Sequence, residues 1–240
     1  MTATEVIWHD IECGGYREDL PLWRRLAREH GDPILEVGAG TGRVSLDLAR
    51  RGHRVTALDR DRELLTELRA RAAGTTLETV LADARSFALP RKFALCLVPM
   101  QAIQLLGGAD ERAAFLRCAG AHLSPGGVLA AALTDVVDAY EVPDGAPGPL
   151  PDIRELDGVL YASRPIAVRE QGDVFVIERL REIVGADGVR EVRENRIALD
   201  RVDPAELERA GRAAGFRALA RAHIPATDEY VGSEVVMLGA

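Results

Sequence analysis

The stretch that decides the fold is "PILEVGAGTGR", Pro33–Arg43. An apolar run runs straight into glycines at every second position, Gly38, Gly40 and Gly42. Glycine is selected where backbone must adopt positive φ or where another group comes close to the main chain. A buried strand, a glycine-rich turn and then a helix present backbone N–H groups and a helix N-terminus to a nucleotide-like ligand. A tight strand–helix turn with no ligand would use the same residues, so the glycines need support from elsewhere in the chain.

The surrounding sequence supplies the rest of the pattern. Residues 16–30 read as an amphipathic helix with Leu22, Trp23, Leu26 and Ala27 on one face. Strands follow at 33–37, 53–59, 77–83, 93–99 and 127–134, separated by helical patterns at 42–52, 61–74 and 109–123. That alternation predicts an α/β fold with a parallel sheet wound by right-handed crossovers, and the near-continuous apolar strands suit a sheet covered on both faces. After Thr134 the pattern changes. Residues 135–158 are rich in Pro, Gly and acids and read as a loop, and three β-rich runs at 159–169, 174–184 and 189–199 read as consecutive hairpins. A helix opens at Asp203 and Pro204, and strands at 216–223 and 234–239 close the chain. The organisation expected is a core of 1–134 and 200–240, its first 30 residues a helical lid, with 135–199 inserted after strand five. The insert is read as a cover over the carboxyl edge of the sheet or as a dimerisation element.

Composition narrows the function classes. A net charge of −8 disfavours binding to a phosphate backbone, so no nucleic-acid partner is expected. Arginines are interleaved with acids along the helices, and Lys92 is the only lysine. No apolar run approaches a membrane span and the N-terminus lacks a leader pattern, so the expected compartment is the cytoplasm. Cys13, Cys96 and Cys118 form neither a disulfide framework nor a metal-ligand spacing, and no metal is expected.

Ligands of open α/β sheets sit at the carboxyl edge, and three strands place an acid there: Glu36, Asp59 and Asp83. Asp59 follows the glycines at close to the spacing of about 20 residues expected of an acid that holds a ribose diol. Asp83 can accept from an exocyclic amine beside an apolar slot of Leu81 and Phe87. Three acids would repel a pyrophosphate but suit a cationic sulfonium carrying an amino group.

In these residues the chain resembles the class I S-adenosylmethionine-dependent small-molecule methyltransferases. The motifs that carry the resemblance are Glu36-Val-Gly-Ala-Gly-Thr-Gly42, "GHRVTALDRDRELL", "LADARSF", "HLSPGGVL" and "ELERAGRAAGF". They cover about 16–134 well and 200–240 loosely. The resemblance implies a Rossmann-like seven-stranded sheet with helices on both faces, interrupted after strand five by a three-stranded antiparallel sheet. It implies S-adenosylmethionine as cofactor and S-adenosylhomocysteine as product. Gly38 and Gly40, with Glu36 and Ala39, would lie along the methionine portion, Asp59 and Arg60 at the ribose, and Asp83 and Ala84 at the adenine. Tyr16 would reach the cofactor carboxylate and Pro99 would line the methyl-donor region. Gln101-Ala102 stands where relatives often carry Asn-Ser, and "VPMQ" is not the Asp/Asn-Pro-Pro-aromatic sequence of enzymes that methylate nucleic-acid amines.

The expected activity is N- or O-methylation of a small molecule, by a monomer or a homodimer. A general base is required only where the nucleophile arrives protonated. Asp135, directly after strand five, and His9 are the candidates. Two other readings stay open at this point: an NAD-dependent oxidoreductase, which would want Gly-x-Gly-x-x-Gly, and a cofactor-binding regulator without catalysis.

Overall fold

A computed structural model describes residues 4–134, 138–143, 146, 148–228 and 230–240. The chain forms two compact units, Tyr16–Val136 with Val202–Ala240, and Met1–Gly15 with Val137–Arg201.

The larger unit begins with α2 (Leu20–His30), since α1 (Thr4–Cys13) belongs to the other unit. Then come β1 (Ile34–Val37), α3 (Arg43–Arg50), β2 (Val55–Asp59), α4 (Arg62–Arg71), β3 (Glu78–Leu81), β4 (Phe93–Val98), α5 (Ala109–His122) and β5 (Leu123–Thr134). Strands β1 to β5 run parallel to one another, and β1 lies between β2 and β4. The chain therefore reverses its direction of winding between β1 and β4, where open sheets leave a crevice for ligands. The sheet is completed by α6 (Pro204–Ala213) followed by β11 (Arg217–Ala218), β12 (Ala222–Ile224) and β13 (Ser233–Gly239). Its order is β11-β13-β5-β4-β1-β2-β3, the seven strands expected, and β12 adds a short eighth on β13 because the 216–223 run divides in two.

Alternation along the strands explains why both faces are covered. Ile34 of β1 packs with Trp23 and Leu26 of α2 and with Val44 and Leu48 of α3. Leu35 and Val37 point the other way, onto Phe115 and Leu116 of α5 and Leu207 of α6. Each helix start carries its own signal. Asp61 accepts from the N–H groups of Glu63 and Leu64 at α4, and Asp203 does the same for Ala205 and Glu206 at α6. The turn 124–127 is absorbed into β5 as an irregularity opposite β4, with Gly126 at φ 79°.

The second unit is an antiparallel sheet. β6 (Tyr140–Glu141), β7 (Asp152–Leu156), β8 (Val159–Gln171), β9 (Val174–Val184) and β10 (Arg190–Asp200) form it, with β6 and β7 both pairing with β8. The three long strands lie where the sequence puts them; β6 and β7 come from the stretch read as loop. The first fifteen residues group with this sheet instead of with the core to which the sequence reading assigned them. The cause lies in α1. Trp8 meets Tyr161 edge-on at 5.5 Å between ring centroids, and Glu12 receives Arg181 and Ser163. The helix expected over 16–30 starts only at Leu20, because Pro21 lacks an N–H and fits only the first turn of a helix.

Candidate active site

The glycine turn is built by constraint at each step. Gly38, Gly40 and Gly42 all have positive φ, at 73°, 54° and 93°. The N–H groups of Gly38 and Ala39 both donate to the carbonyl of Leu58, at 2.9 and 3.1 Å, which ties the start of the turn to the end of β2. A methyl on Gly38 would lie 2.8 Å from Cβ of Ala102, and one on Gly42 2.1 Å from Cδ1 of Leu68. Ala102 belongs to a short 3-10 turn, Ala102–Leu105, after β4. The departure from Asn-Ser at 101–102 thus sets a small side chain directly against the turn.

Asp59 ends β2 and faces this turn. Its Oδ2 accepts from the Gly40 N–H at 2.8 Å and its Oδ1 from the Asp61 N–H at 2.9 Å. Each oxygen keeps acceptor capacity for a further donor, the requirement for holding a diol. Arg60 beside it is exposed. Asp83 lies in the loop beyond β3 and is gripped by Arg85, through the side chain and through the backbone N–H at 2.9 Å. The Arg85 side chain, followed by its backbone N–H, holds the Asp83 carboxyl down at about 2. Ala84 packs against the apolar layer that contains Phe87. The slot expected from Leu81 and Phe87 is only half present: Leu81 is exposed, whereas Phe87 is buried against the ring of His122 at 4.5 Å.

Glu36 takes a different position from that expected of a ligand-facing acid. It is 2% exposed and receives the Ser45 hydroxyl, so it closes the start of α3 from beneath. Burial drives its carboxyl up to about 8, against the Ser45 hydrogen bond and the nearby Arg43 charge. Pro99 is buried directly after β4, and Met100 takes φ 53° there, a conformation a side chain rarely adopts. Gln104 is buried in the turn that follows, its Oε1 accepting from the Thr134 N–H at 2.9 Å, which couples the carboxyl ends of β4 and β5.

The sequence reading assigned no role to Arg43 and Asp19. Arg43 directly follows the glycine turn and binds Asp19 through both terminal nitrogens, the side chains being 7% and 1% exposed. Arg43 also donates to the carbonyl of Tyr16 at 3.1 Å and lies over the Tyr16 ring at 5.1 Å. The Trp23 indole N–H donates to Asp19 at 2.7 Å. These contacts hold Tyr16 beside the turn, against the ring of Tyr230 at 4.9 Å. Burial first, and the Asp19 charge second, push the Tyr16 phenol up to about 12, so it stays protonated at neutral pH.

The carboxyl edge of the parallel sheet thus brings together Gly38, Ala39, Gly40, Asp59, Arg60, Asp83, Ala84 and Pro99, with Tyr16 joined to it through Arg43. His9 lies half-buried in α1 of the other unit. Asp135 lies outside the described residues. His53 and His122 sit in local networks, with Asp32 at 3.1 Å and with the Leu89 N–H at 3.0 Å. Among the described residues no group of three or more His, Cys, Asp or Glu side chains is placed to hold a metal ion. No helix among them is long and apolar enough to cross a membrane.

A Gly-x-Gly-x-Gly turn at the winding reversal, with an acid fixed at the end of the adjacent strand, lies where open α/β sheets leave a ligand crevice. Residues 34–127 match the family model described as a methyltransferase domain. The larger unit has the class I Rossmann-like fold. The chain is 33% identical over 111 residues to the cypemycin N-terminal methyltransferase of a Streptomyces species, which covers 46% of this chain and 44% of that protein. Its matches to that and other curated relatives span less than half of their length. It also resembles the structure of S-adenosylmethionine-bound CalS10, an amino pentose methyltransferase from Micromonospora echinaspora. That likeness has TM-score 0.70, 24% identity, and coverage of 98% of this chain and 97% of the other. The sugar N-methyltransferase KedS8 from Streptoalloteichus shares the fold with TM-score 0.72 at 20% identity, over 98% of this chain and 92% of that one.

Proposed function

We propose that the protein is an S-adenosylmethionine-dependent methyltransferase that acts on a nitrogen atom of a small-molecule acceptor. The observation that carries the reading is the Asp59 carboxylate, locked by the Gly40 and Asp61 N–H groups against a turn that admits no side chains at Gly38 and Gly42. Arg43, which directly follows the turn, is committed to Asp19, an arrangement that suits a ligand without a pyrophosphate. N-methylation is the chemistry named for the cypemycin enzyme and for KedS8, and it is brought to this chain as a proposal.

When bound, the cofactor supplies an electrophilic methyl group on a sulfonium. The residues of this chain contribute alignment. Asp59 would hold the ribose, Asp83 and Ala84 the adenine, and Pro99 with the Met100 turn would line the methyl-donor region. Holding two reactants in line accounts for several kcal/mol of a barrier, about 7 or more in favourable cases. Tyr16, neutral and held by Arg43 at its carbonyl and ring, would offer its hydroxyl to the cofactor's amino-acid end.

Calorimetric titration with S-adenosylmethionine and with NAD tests the cofactor assignment, with binding expected for the first alone. Mass-spectrometric detection of methyl transfer to a panel of amino sugars, amines and phenols tests the reaction, with turnover expected on an amine. Binding of NAD, or turnover on phenols only, refutes the corresponding part.

A further inference from the structure

Among the described residues the two sheets end in six strands, and five of these are short. β3 spans four residues, β11 and β12 two and three, and β6 and β7 two and five. β8, on which β6 and β7 lie, is also irregular at Pro165. Short strands and bulges keep an open strand edge from recruiting another chain. β10 has neither protection. It runs eleven residues, Arg190–Asp200, without proline or glycine, and pairs with β9 in unbroken register. Among the described strands β9 is its only partner, and Arg190 to Glu194, Arg196 and Ala198 are exposed.

Charged side chains are a further guard, and β10 carries Arg190, Glu191, Arg193, Glu194 and Arg196. A guard of one sign would repel a second copy in every register. Here both signs are present, and the order of residues is self-complementary about Asn195. Laid antiparallel on its own copy with a two-fold axis at Asn195, β10 sets Glu194 opposite Arg196 of the second copy, and Arg196 opposite its Glu194. Val192 then faces Ala198, and Arg193 faces Ile197. Residues directly opposite in an antiparallel pair share a face, so both charge pairs form side by side. Glu194 and Arg196 already meet at 3.6 Å along one strand, and two copies would close them into a square of alternating charge. The residue on the axis must meet itself. A charge there would be repelled, whereas the Asn195 amide has both a donor and an acceptor for its copy.

The neighbouring registers lack this match. An axis at Glu194 or at Arg196 sets that charge against its own copy, an axis between 194 and 195 sets Arg193 against Arg196, and one between 195 and 196 sets Glu191 against Asp200. We propose that β10 is a homodimer interface, where two copies of this chain pair antiparallel about Asn195 and make one sheet continuous across both. Addition of a strand to an open edge takes its strength from main-chain hydrogen bonds, and a two-fold contact requires the self-complementarity seen here. The contact needs neither cofactor nor acceptor, so it stands or falls apart from the methyltransferase reading.

The test is the mass of the full chain in solution by analytical ultracentrifugation. A species of about twice the 26.0 kDa chain is expected. Glu194→Arg sets two arginines together at each contact and Arg196→Glu sets two acids together, so each is expected to weaken dimerisation by about tenfold or more. The two side chains are 68% and 64% exposed, so both variants should keep the fold, with circular dichroism as the check. Mixing the two variants in equal amounts restores opposite charges at both contacts, and a heterodimer is expected. Such recovery cannot come from a change within either variant alone, and it fixes the register. A wild-type monomer, which leaves the edge to a partner of another kind, overturns the proposal. So does an undiminished dimer in Glu194→Arg, or a mixture of folded variants that stays monomeric.

Discussion

Replacing Arg43 by Met should expose how the N-terminal end of the larger unit is held on the glycine turn. The substitution keeps the length and apolar stem of the side chain and removes its charge. Asp19 would remain, 1% exposed, with the Trp23 indole as its one remaining donor among the contacts described above. Breaking a buried pair by removing one partner costs about 3–5 kcal/mol, because a buried charge is left uncompensated. The Trp23 hydrogen bond persists, so the lower half of that range is the expectation. For a domain of this size each kcal/mol lowers the melting temperature by about 2–4 °C, giving a drop of roughly 6–16 °C. Trp23 is fully buried beside the pair, and the chain's other tryptophan is Trp8. Urea unfolding followed by fluorescence in a Trp8→Phe background therefore reads this site. Asp19→Asn keeps an acceptor for Trp23 without charge, and combined with Arg43→Met it should recover part of the loss, with a coupling energy of at least about 2 kcal/mol. The affinity for S-adenosylmethionine should fall in Arg43→Met and recover in part in the double variant, as Tyr16 loses its carbonyl anchor. A loss under about 1 kcal/mol, or strictly additive variants, would refute the argument, because a buried coupled pair cannot behave so.

Asp59→Ala should weaken S-adenosylmethionine binding by about 1.5–3 kcal/mol, measured by calorimetry with circular dichroism as the check on folding; unchanged affinity removes the ribose assignment. Gly42→Ala combines a backbone at φ 93° with a methyl 2.1 Å from Leu68, so thermal unfolding should show a loss of about 2–4 kcal/mol. Glu36 titrates near 8 when folded against an ordinary 4.5, so the folded state holds a proton that the unfolded state has released. Stability from this group is therefore full below 4.5 and is lost as pH rises toward 8. Glu36→Gln, which mimics the protonated form, should flatten that slope in a series of melting temperatures and be the more stable protein above pH 8; parallel curves would contradict the buried, neutral carboxyl.

What could be read from sequence was whatever repeats or lies close by. Strands β1 to β5 and the helices between them announce themselves through apolar periodicity, and Asp61 and Asp203 through local capping chemistry. Asp59 was legible because its distance from the glycines is set by one strand–helix–strand passage. Arg43 and Asp19 were not, although both stand beside recognisable landmarks. The reading over 16–30 left Asp19 inside a helix, whereas it stands at the helix start, makes no side-chain cap and spends its carboxylate on an arginine 24 residues away. The membership of α1 was hidden for the same reason, since Glu12 and Arg181 are 169 residues apart. Glu36 illustrates a different limit: the motif fixes its place in the chain, while only the fold shows that it closes α3 from beneath.

The spacing of the three glycines now has an explanation in three separate demands. Gly38 must turn the chain at φ 73° where β1 ends, under a 3-10 turn whose Ala102 leaves no room for a second methyl. Gly40 takes φ 54° so that its N–H can reach Asp59, and this bond orients the carboxylate that ends the neighbouring strand. Gly42 takes φ 93° to start α3 against Leu68 of α4, so its cost is one of helix packing and not of ligand approach. Residues 39 and 41 fill the intervals without these demands, and Ala39 is buried against Leu65 and Leu68. A turn assembled in this way uses its N–H groups on Leu58 and on Asp59 instead of leaving them all for phosphate oxygens. That arrangement suits the diol contact proposed for Asp59, and that is why the acid at the end of β2, more than the glycines themselves, carries the functional reading.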